Sequence, residues 1–130
     1  MVQTSPSPSL GAILLVEDDP TFAGYLVKRL SQVGYQVEWA QDGLRALAQL
    51  RRGAPGLLLM DLAIPAIDGI SLLRQLRTEG LIDGVPVIVL TGRYSASDVE
   101  DATALGVVDY IAKPFDEPTF LASIATHIRA

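Results

Sequence analysis

Cysteine is absent from the 130 residues, which excludes disulfide scaffolds, thiolate zinc sites and thiol catalysis together. Positive charge is scarce: 10 cations stand against 15 carboxylates, a net charge of −5. A chain with a pI near 4.6 lacks the basic footprint that supplies most nucleic-acid affinity, so nucleic acid is not an expected partner. Only Lys28 and Lys113 are lysines, so a functional ammonium has two candidates. Long apolar runs are missing too. Stretches such as 85–90 have the length of a strand and fall far short of the roughly 20 residues of a membrane span. Residues 1–10, MVQTSPSPSL, have neither a charged head nor an apolar run, so they do not read as a secretory signal. Their serines and two prolines predict a flexible leader. The expectation is one domain over 11–129 with no output domain in this chain, located in the cytoplasm.

What is present is core-forming. Hydrophobic residues make up 49% and charged residues 19%, a composition that packs rather than stays disordered. Short apolar runs alternate five times with amphipathic stretches: AILLV (12–16), YQVEWA (35–40), LLLM (57–60), VPVIVL (85–90) and VVDYIA (107–112). Runs of this length bounded by turn residues read as strands buried on both faces of a parallel sheet. YQVEWA is the exception. Its alternation turns Glu38 outward and predicts an edge strand.

Helices fill the intervals. Phe22, Leu26, Leu30 and Val33 keep helical spacing behind Pro20. Leu44, Leu47 and Ala48 follow the turn pair Asp42-Gly43, and Ile70, Leu73 and Leu76 follow Asp68-Gly69. The fourth helix, 97–105, offers only Val99, Ala102 and Leu105, which predicts the weakest packing. Phe120, Ile124 and Ile128 mark the fifth, with Asp116 as its cap. Gly34, Gly53, Gly80 and Gly106 fall at helix ends, where a left-handed residue is commonly needed. The predicted fold is α/β and flavodoxin-like: a doubly wound five-stranded parallel sheet, strand order 2-1-3-4-5, with helices on both faces.

Ligands of such sheets bind beyond the carboxyl ends of the strands. The first run ends in Glu17-Asp18-Asp19, the third in Asp61, the fourth in Thr91-Gly92 and the fifth in Lys113-Pro114. Singly, each is an ordinary loop or cap residue. Together they place carboxylates, a hydroxyl and an ammonium on one rim of four adjacent strands. Clustered carboxylates call for a cation. Oxygen donors without histidine or cysteine select a hard ion, Mg²⁺ rather than Zn²⁺, which also takes phosphate oxygens. A carboxylate not used up by the metal can act as a nucleophile toward phosphorus.

These residues resemble the receiver domain of bacterial two-component response regulators. The likeness is carried by LLVEDDP (14–20), LLLMDLAIPAIDG (57–69), VIVLTG (87–92) and DYIAKPF (109–115), in that order. It implies a signalling switch that takes a phosphoryl group from a histidine kinase or phosphotransfer protein and passes the signal to a downstream protein or an output domain. Asp61 would be the phosphoacceptor. Asp18 would be the direct metal ligand, Glu17 its partner through water, and the backbone carbonyl of Ala63 a further ligand. Lys113, joined by a cis bond to Pro114, and Thr91 would hold phosphoryl oxygens. Tyr110 would be the aromatic that moves with Thr91, and Asp19 a solvated residue or cap. Gly92 would keep the approach to Thr91 open. Trp39 is expected on the second strand, away from the rim, and His127 on the surface of the fifth helix.

Ala63 and Arg93 occupy positions where receiver side chains tune the access of water to the phosphoryl group. The fourth helix carries Asp98, Glu100 and Asp101 without a cation, and Arg129 is the one clear cation of the fifth. A face showing these acids with Asp109 predicts a monomer. Three other readings compete. A pseudo-receiver that signals without phosphorylation is disfavoured by the retained Glu17, Asp18, Asp61, Thr91 and Lys113. A haloacid-dehalogenase-type phosphatase wants an aspartate where Ala63 stands. A flavodoxin wants small hydroxyl residues where Glu17-Asp18-Asp19 would repel a phosphate.

Overall fold

The computed structural model describes residues 10–129. Residues 1–9 of the expected leader lie outside that range. Leu10 is described, and its amide donates to the Gly34 carbonyl at 3.1 Å.

The described residues form five strands and five helices in strict alternation: β1 (Ala12–Val16), α1 (Pro20–Val33), β2 (Gln36–Ala40), α2 (Gly43–Arg52), β3 (Leu57–Met60), α3 (Gly69–Thr78), β4 (Val87–Thr91), α4 (Ala96–Ala104), β5 (Asp109–Ala112) and α5 (Glu117–His127). The strands are parallel, in the order β2-β1-β3-β4-β5. This is the predicted flavodoxin-like order.

Two apolar layers sandwich the sheet. On one side, Leu14, Val16, Leu58, Met60, Val87 and Val89 pack against α2, α3 and Ala102 of α4. On the other, Ile13, Leu15, Leu57, Leu59, Ile88 and Leu90 pack against Ala23, Leu26 and Leu30 of α1 and Phe120 and Ile124 of α5. Strand side chains alternate between faces. A run such as LLLM, buried throughout, therefore serves both layers at once.

Each helix starts at the carboxyl rim of the sheet behind a polar cap. Asp19, Asp42, Asp68 and Asp116 accept from the amides of Thr21, Arg45, Ile70 and Thr119, and Ser95 accepts from Asp98. These bonds satisfy amides that the first helical turn leaves unpaired. Asp19 is thus a cap, as one of its two expected roles. The Lys113-Pro114 bond is cis.

Several expectations shift. β5 is half-buried rather than enclosed, because the strand order makes it an edge like β2. β4 begins at Val87, after Pro86, which has no amide to donate to a ladder, and it extends to include Thr91. On α2 the buried stripe is Ala46, Leu47 and Leu50; Leu44 is 58% exposed, and Ala48 also faces solvent. Gly53 has φ 166°, extended backbone rather than the left-handed turn expected, whereas Gly80 and Gly106 have φ 71° and 84°. Ile128 lies just past the end of α5 as its cap.

α4 buries Ala102 and, unexpectedly, Asp98. The helix is not without cations either. Arg93 holds Asp98 near its first turn, and Arg77 donates to the Leu105 and Gly106 carbonyls just past its end, at 2.7 and 3.4 Å. Arg129 does not join this face: it donates to the Gly84 carbonyl at 2.5 Å. Asp109 is engaged by the Ser123 hydroxyl at 2.5 Å.

Candidate functional site

The carboxyl ends of β1, β3, β4 and β5 bring Glu17, Asp18, Asp61, Thr91 and Lys113 into one cleft. Ligand oxygens of Glu17, Asp18 and Asp61 all lie within 4.8 Å of one another. Glu17 and Asp61 are buried and Asp18 is exposed. One rim carboxylate therefore faces solvent while two line the floor.

The floor is held by a dense set of hydrogen bonds. Lys113 Nζ donates to Glu17 Oε1 at 2.7 Å and to Asp61 Oδ2 at 2.8 Å. The other Asp61 oxygen, Oδ1, accepts from Thr91 Oγ1 at 2.5 Å and from the Ala63 amide at 3.0 Å. Glu17 Oε2 accepts from the Asp19 amide at 3.1 Å. Burial pushes the Glu17 carboxyl up, outweighing the stabilising bonds from Lys113 and Asp19. Burial also pulls the Lys113 ammonium down, but hydrogen bonds and charge from Asp61 and Glu17 more than offset it, and its pKa is raised. Lys113 stays charged and stands between the two buried carboxyl groups.

The donor set fits a hard divalent cation. It offers carboxylate oxygens from three residues at one spot, with no nitrogen or sulfur ligand among them, as Mg²⁺ and Ca²⁺ sites do. The remaining donors, Lys113 Nζ, Thr91 Oγ1 and the Ala63 amide, already bind carboxylate oxygens and suit the oxygens of an incoming anion equally.

Tyr110 is linked to Thr91 by hydrogen bonds through Arg93. Its hydroxyl donates to the Arg93 carbonyl at 2.5 Å, and the Arg93 amide donates to Thr91 Oγ1 at 3.1 Å. Arg93 is the relay between them. The Tyr110 ring is half-buried and meets Tyr94 edge-on, centroids 5.3 Å apart. Burial, and after it the Asp98 charge, raises the Tyr110 pKa.

The contacts of Phe22 and Trp39 at the site, and the ion pairing of Arg93, escaped the sequence reading. Phe22 of α1 places its ring 4.3 Å from Lys113 Nζ, a cation–π contact. Trp39 is not remote from the rim: its indole N–H donates to the Glu17 carbonyl at 2.6 Å, because β2 lies beside β1 with Leu15 opposite Trp39. Arg93 and Asp68 form an ion pair at 2.5 Å between elements distant in sequence. A β-carbon added at Gly92 would meet nothing within 4 Å among the described residues, so the space beside that glycine is open. His127 is half-buried and bonds the Ser123 carbonyl, away from the cleft.

Comparison with known proteins gives a consistent answer. The family described as "Response regulator receiver domain" matches residues 13–125. The response regulator MprA of Mycobacterium leprae is 40% identical over 117 residues, which is 90% of this chain and 50% of that protein. The chain thus spans about half the length of the curated relatives it matches. Among solved structures, the CheY-like response regulator receiver domain protein from Methanospirillum hungatei superposes with a TM-score of 0.84 at 30% identity, covering 91% of this chain and 93% of that one. The receiver domain of the sensor histidine kinase PA1611 from Pseudomonas aeruginosa superposes with a TM-score of 0.81 at 32% identity, covering 90% and 96%. That structure holds a magnesium ion coordinated in its active-site cleft.

Proposed function

We propose that this chain, which belongs to the response regulator receiver domain family, is a phosphorylation-driven switch whose phosphoacceptor is Asp61. One observation carries the reading. Asp61 is 6% exposed, yet both its oxygens are bonded by groups suited to phosphoryl oxygens: Lys113 Nζ on one, Thr91 Oγ1 and the Ala63 amide on the other.

A carboxylate oxygen of Asp61 attacks phosphorus in line. The bond from phosphorus to the donor atom breaks, and the donor leaves with the electron pair. Positioning and neutralisation of the equatorial oxygens supply most of the catalysis in such transfers. Lys113 brings its charge to one oxygen, and the Thr91 hydroxyl donates to another. Asp18 and Asp61, with Glu17 through water and the Ala63 carbonyl, would hold Mg²⁺. When bound, that ion neutralises negative charge on the transferring group and the cleft. The phosphoryl group adds about −1.5 to −2 charges. Thr91 turns toward it, and Tyr110 follows as the Arg93 backbone shifts. The surface of α4, β5 and α5 changes with them.

The donor is a sensor histidine kinase or a phosphotransfer protein in the cytoplasm, and the receiver of the signal is an output domain or a separate protein. The reading assigns this domain no nucleic-acid or membrane partner, in keeping with its net charge of −5; among the described residues no helix is long and apolar enough to cross a membrane. With Asp98 and Asp109 engaged internally, Glu100 and Asp101 still leave α4 acidic, which supports a monomer in both states. Residues 11–129 are the receiver unit. A phosphorylation-independent interaction module is the alternative, and the intact floor of the cleft weighs against it.

Incubation with Mg²⁺ and acetyl phosphate tests the reading. One hydroxylamine-labile phosphoryl group per chain is expected, and no incorporation with or without Mg²⁺ would overturn it in favour of the alternative.

A further inference from the structure

Arg93 makes more connections between elements than the acceptor site requires. Its Nε and Nη2 form a two-pronged pair with Asp98 Oδ2 and Oδ1, both at 2.9 Å. Its Nη1 donates to Asp68 Oδ1 at 2.5 Å. Asp68 caps α3 and Asp98 lies in the first turn of α4, so one guanidinium ties the starts of two helices across the mouth of the cleft. Its main chain works in the same place: the amide donates to Thr91 Oγ1 and the carbonyl accepts from Tyr110.

Each acid is also fixed locally, Asp68 through its second oxygen and Asp98 through its main chain. Asp68 Oδ2 takes the Ile70 amide, while the Asp98 amide is held by Ser95. Asp98 is 9% exposed, so moving α4 while Arg93 stays would leave a nearly buried anion without its cation. The planar guanidinium holds three donors in one fixed fork, which a flexible ammonium does not match. The brace is therefore directional. It favours one placement of the β4–α4 loop and resists others.

We propose that Arg93 is a positioning residue that holds the switch at rest, its side chain pinning α4 to α3 while its backbone keeps Thr91 and Tyr110 in their resting places. The proposal rests on Asp61 as phosphoacceptor. When Thr91 Oγ1 turns to a phosphoryl oxygen it leaves the Arg93 amide, and the loop that carries Tyr110's acceptor moves only if the Asp68 and Asp98 pairs yield. Part of the affinity for the phosphoryl group is then spent on opening the brace. Loosening the brace should raise affinity for a phosphoryl mimic, whereas loss of a merely structural strut should leave it equal or lower.

Arg93→Gln and Asp98→Asn break the brace from its two ends, the second with no change in size, and Arg93→Lys keeps charge without the fork. Beryllofluoride titration in Mg²⁺ should show both breaking variants binding at least about fivefold tighter than wild type, with Arg93→Lys in between. In metal-free protein, NMR should show the Tyr110 ring resonances shifted in Arg93→Gln and Asp98→Asn, with β1 and β3 unmoved. Equal or weaker mimic affinity in both variants would overturn the proposal. If wild type itself binds no beryllofluoride, the phosphoacceptor reading fails, and the brace is judged by the metal-free spectra alone. Unchanged Tyr110 resonances would then overturn it, and shifted ones would sustain it as a conformational brace.

Discussion

Trp39 Nε1 lies 2.6 Å from the main-chain oxygen of Glu17, so the chain's one tryptophan is bonded to the first residue of the acidic cluster. Anything that draws Glu17 or Asp18 toward a cation moves the acceptor of that indole. Titration with Mg²⁺ should therefore change Trp39 emission saturably, in step with occupancy. Emission that stays flat while calorimetry shows binding would contradict the coupling. Trp39→Phe should cost about 0.5–1.5 kcal/mol in stability through the lost hydrogen bond.

Asp18 is the solvent-facing member of the acidic cluster. Asp18→Ala should weaken Mg²⁺ binding about tenfold or more, because a unit charge is removed at contact distance. The same change should leave the metal-free fold equally stable or slightly firmer, since one repelling carboxylate is gone. Undiminished affinity in a calorimetric titration would remove Asp18 from the ligand set.

Lys113 separates Glu17 and Asp61, both nearly buried. Lys113→Met should destabilise the metal-free protein by about 1–3 kcal/mol, the cost of leaving buried acceptors unsatisfied. Saturating Mg²⁺ should narrow that gap, because the ion stabilises the folded cluster. Urea melts with and without Mg²⁺ read both effects, and a gap of the same size in each would speak against a shared role.

Hydrogen bonds from Arg93 hold the Asp98 carboxyl below its ordinary range, more than burial raises it. A carboxylate depressed in the folded state contributes stability above its unfolded pKa, and that contribution is lost as pH falls through the folded value. Asp98→Asn should therefore lose less stability than wild type on acidification below about pH 4. Parallel acid titrations of the two proteins would contradict it.

How much was legible in advance follows from what each signal depends on. β1 and β3 read correctly because a strand enclosed on both faces needs an unbroken apolar run. The rim residues were placed together correctly because strand ends in a parallel sheet are local features of the chain. β5 was misjudged because the run VVDYIA was read by its apolar length alone, although the predicted strand order already put it at an edge like β2. Trp39 and Phe22 were missed because their contacts with Glu17 and Lys113 are tertiary: one arises from the β1–β2 pairing, the other joins α1 to the loop after β5. Asp98 looked like surface charge, for its cation sits on the preceding loop and nothing in an i, i+5 separation announces a fork. Leu44 misled because α2 buries one narrow stripe, and Ala46 rather than Leu44 lies on it.

Asp61 carries the account, and its chemistry can be read at a single residue. After reaction with acetyl phosphate and Mg²⁺, borohydride reduction and tandem mass spectrometry locate an acyl phosphate by the reduced residue it leaves. The account predicts reduction at position 61 in the wild type and no incorporated phosphoryl group in Asp61→Asn, whose amide is no nucleophile. A reduced residue at Asp18 or Glu17, or full incorporation in Asp61→Asn, would contradict it.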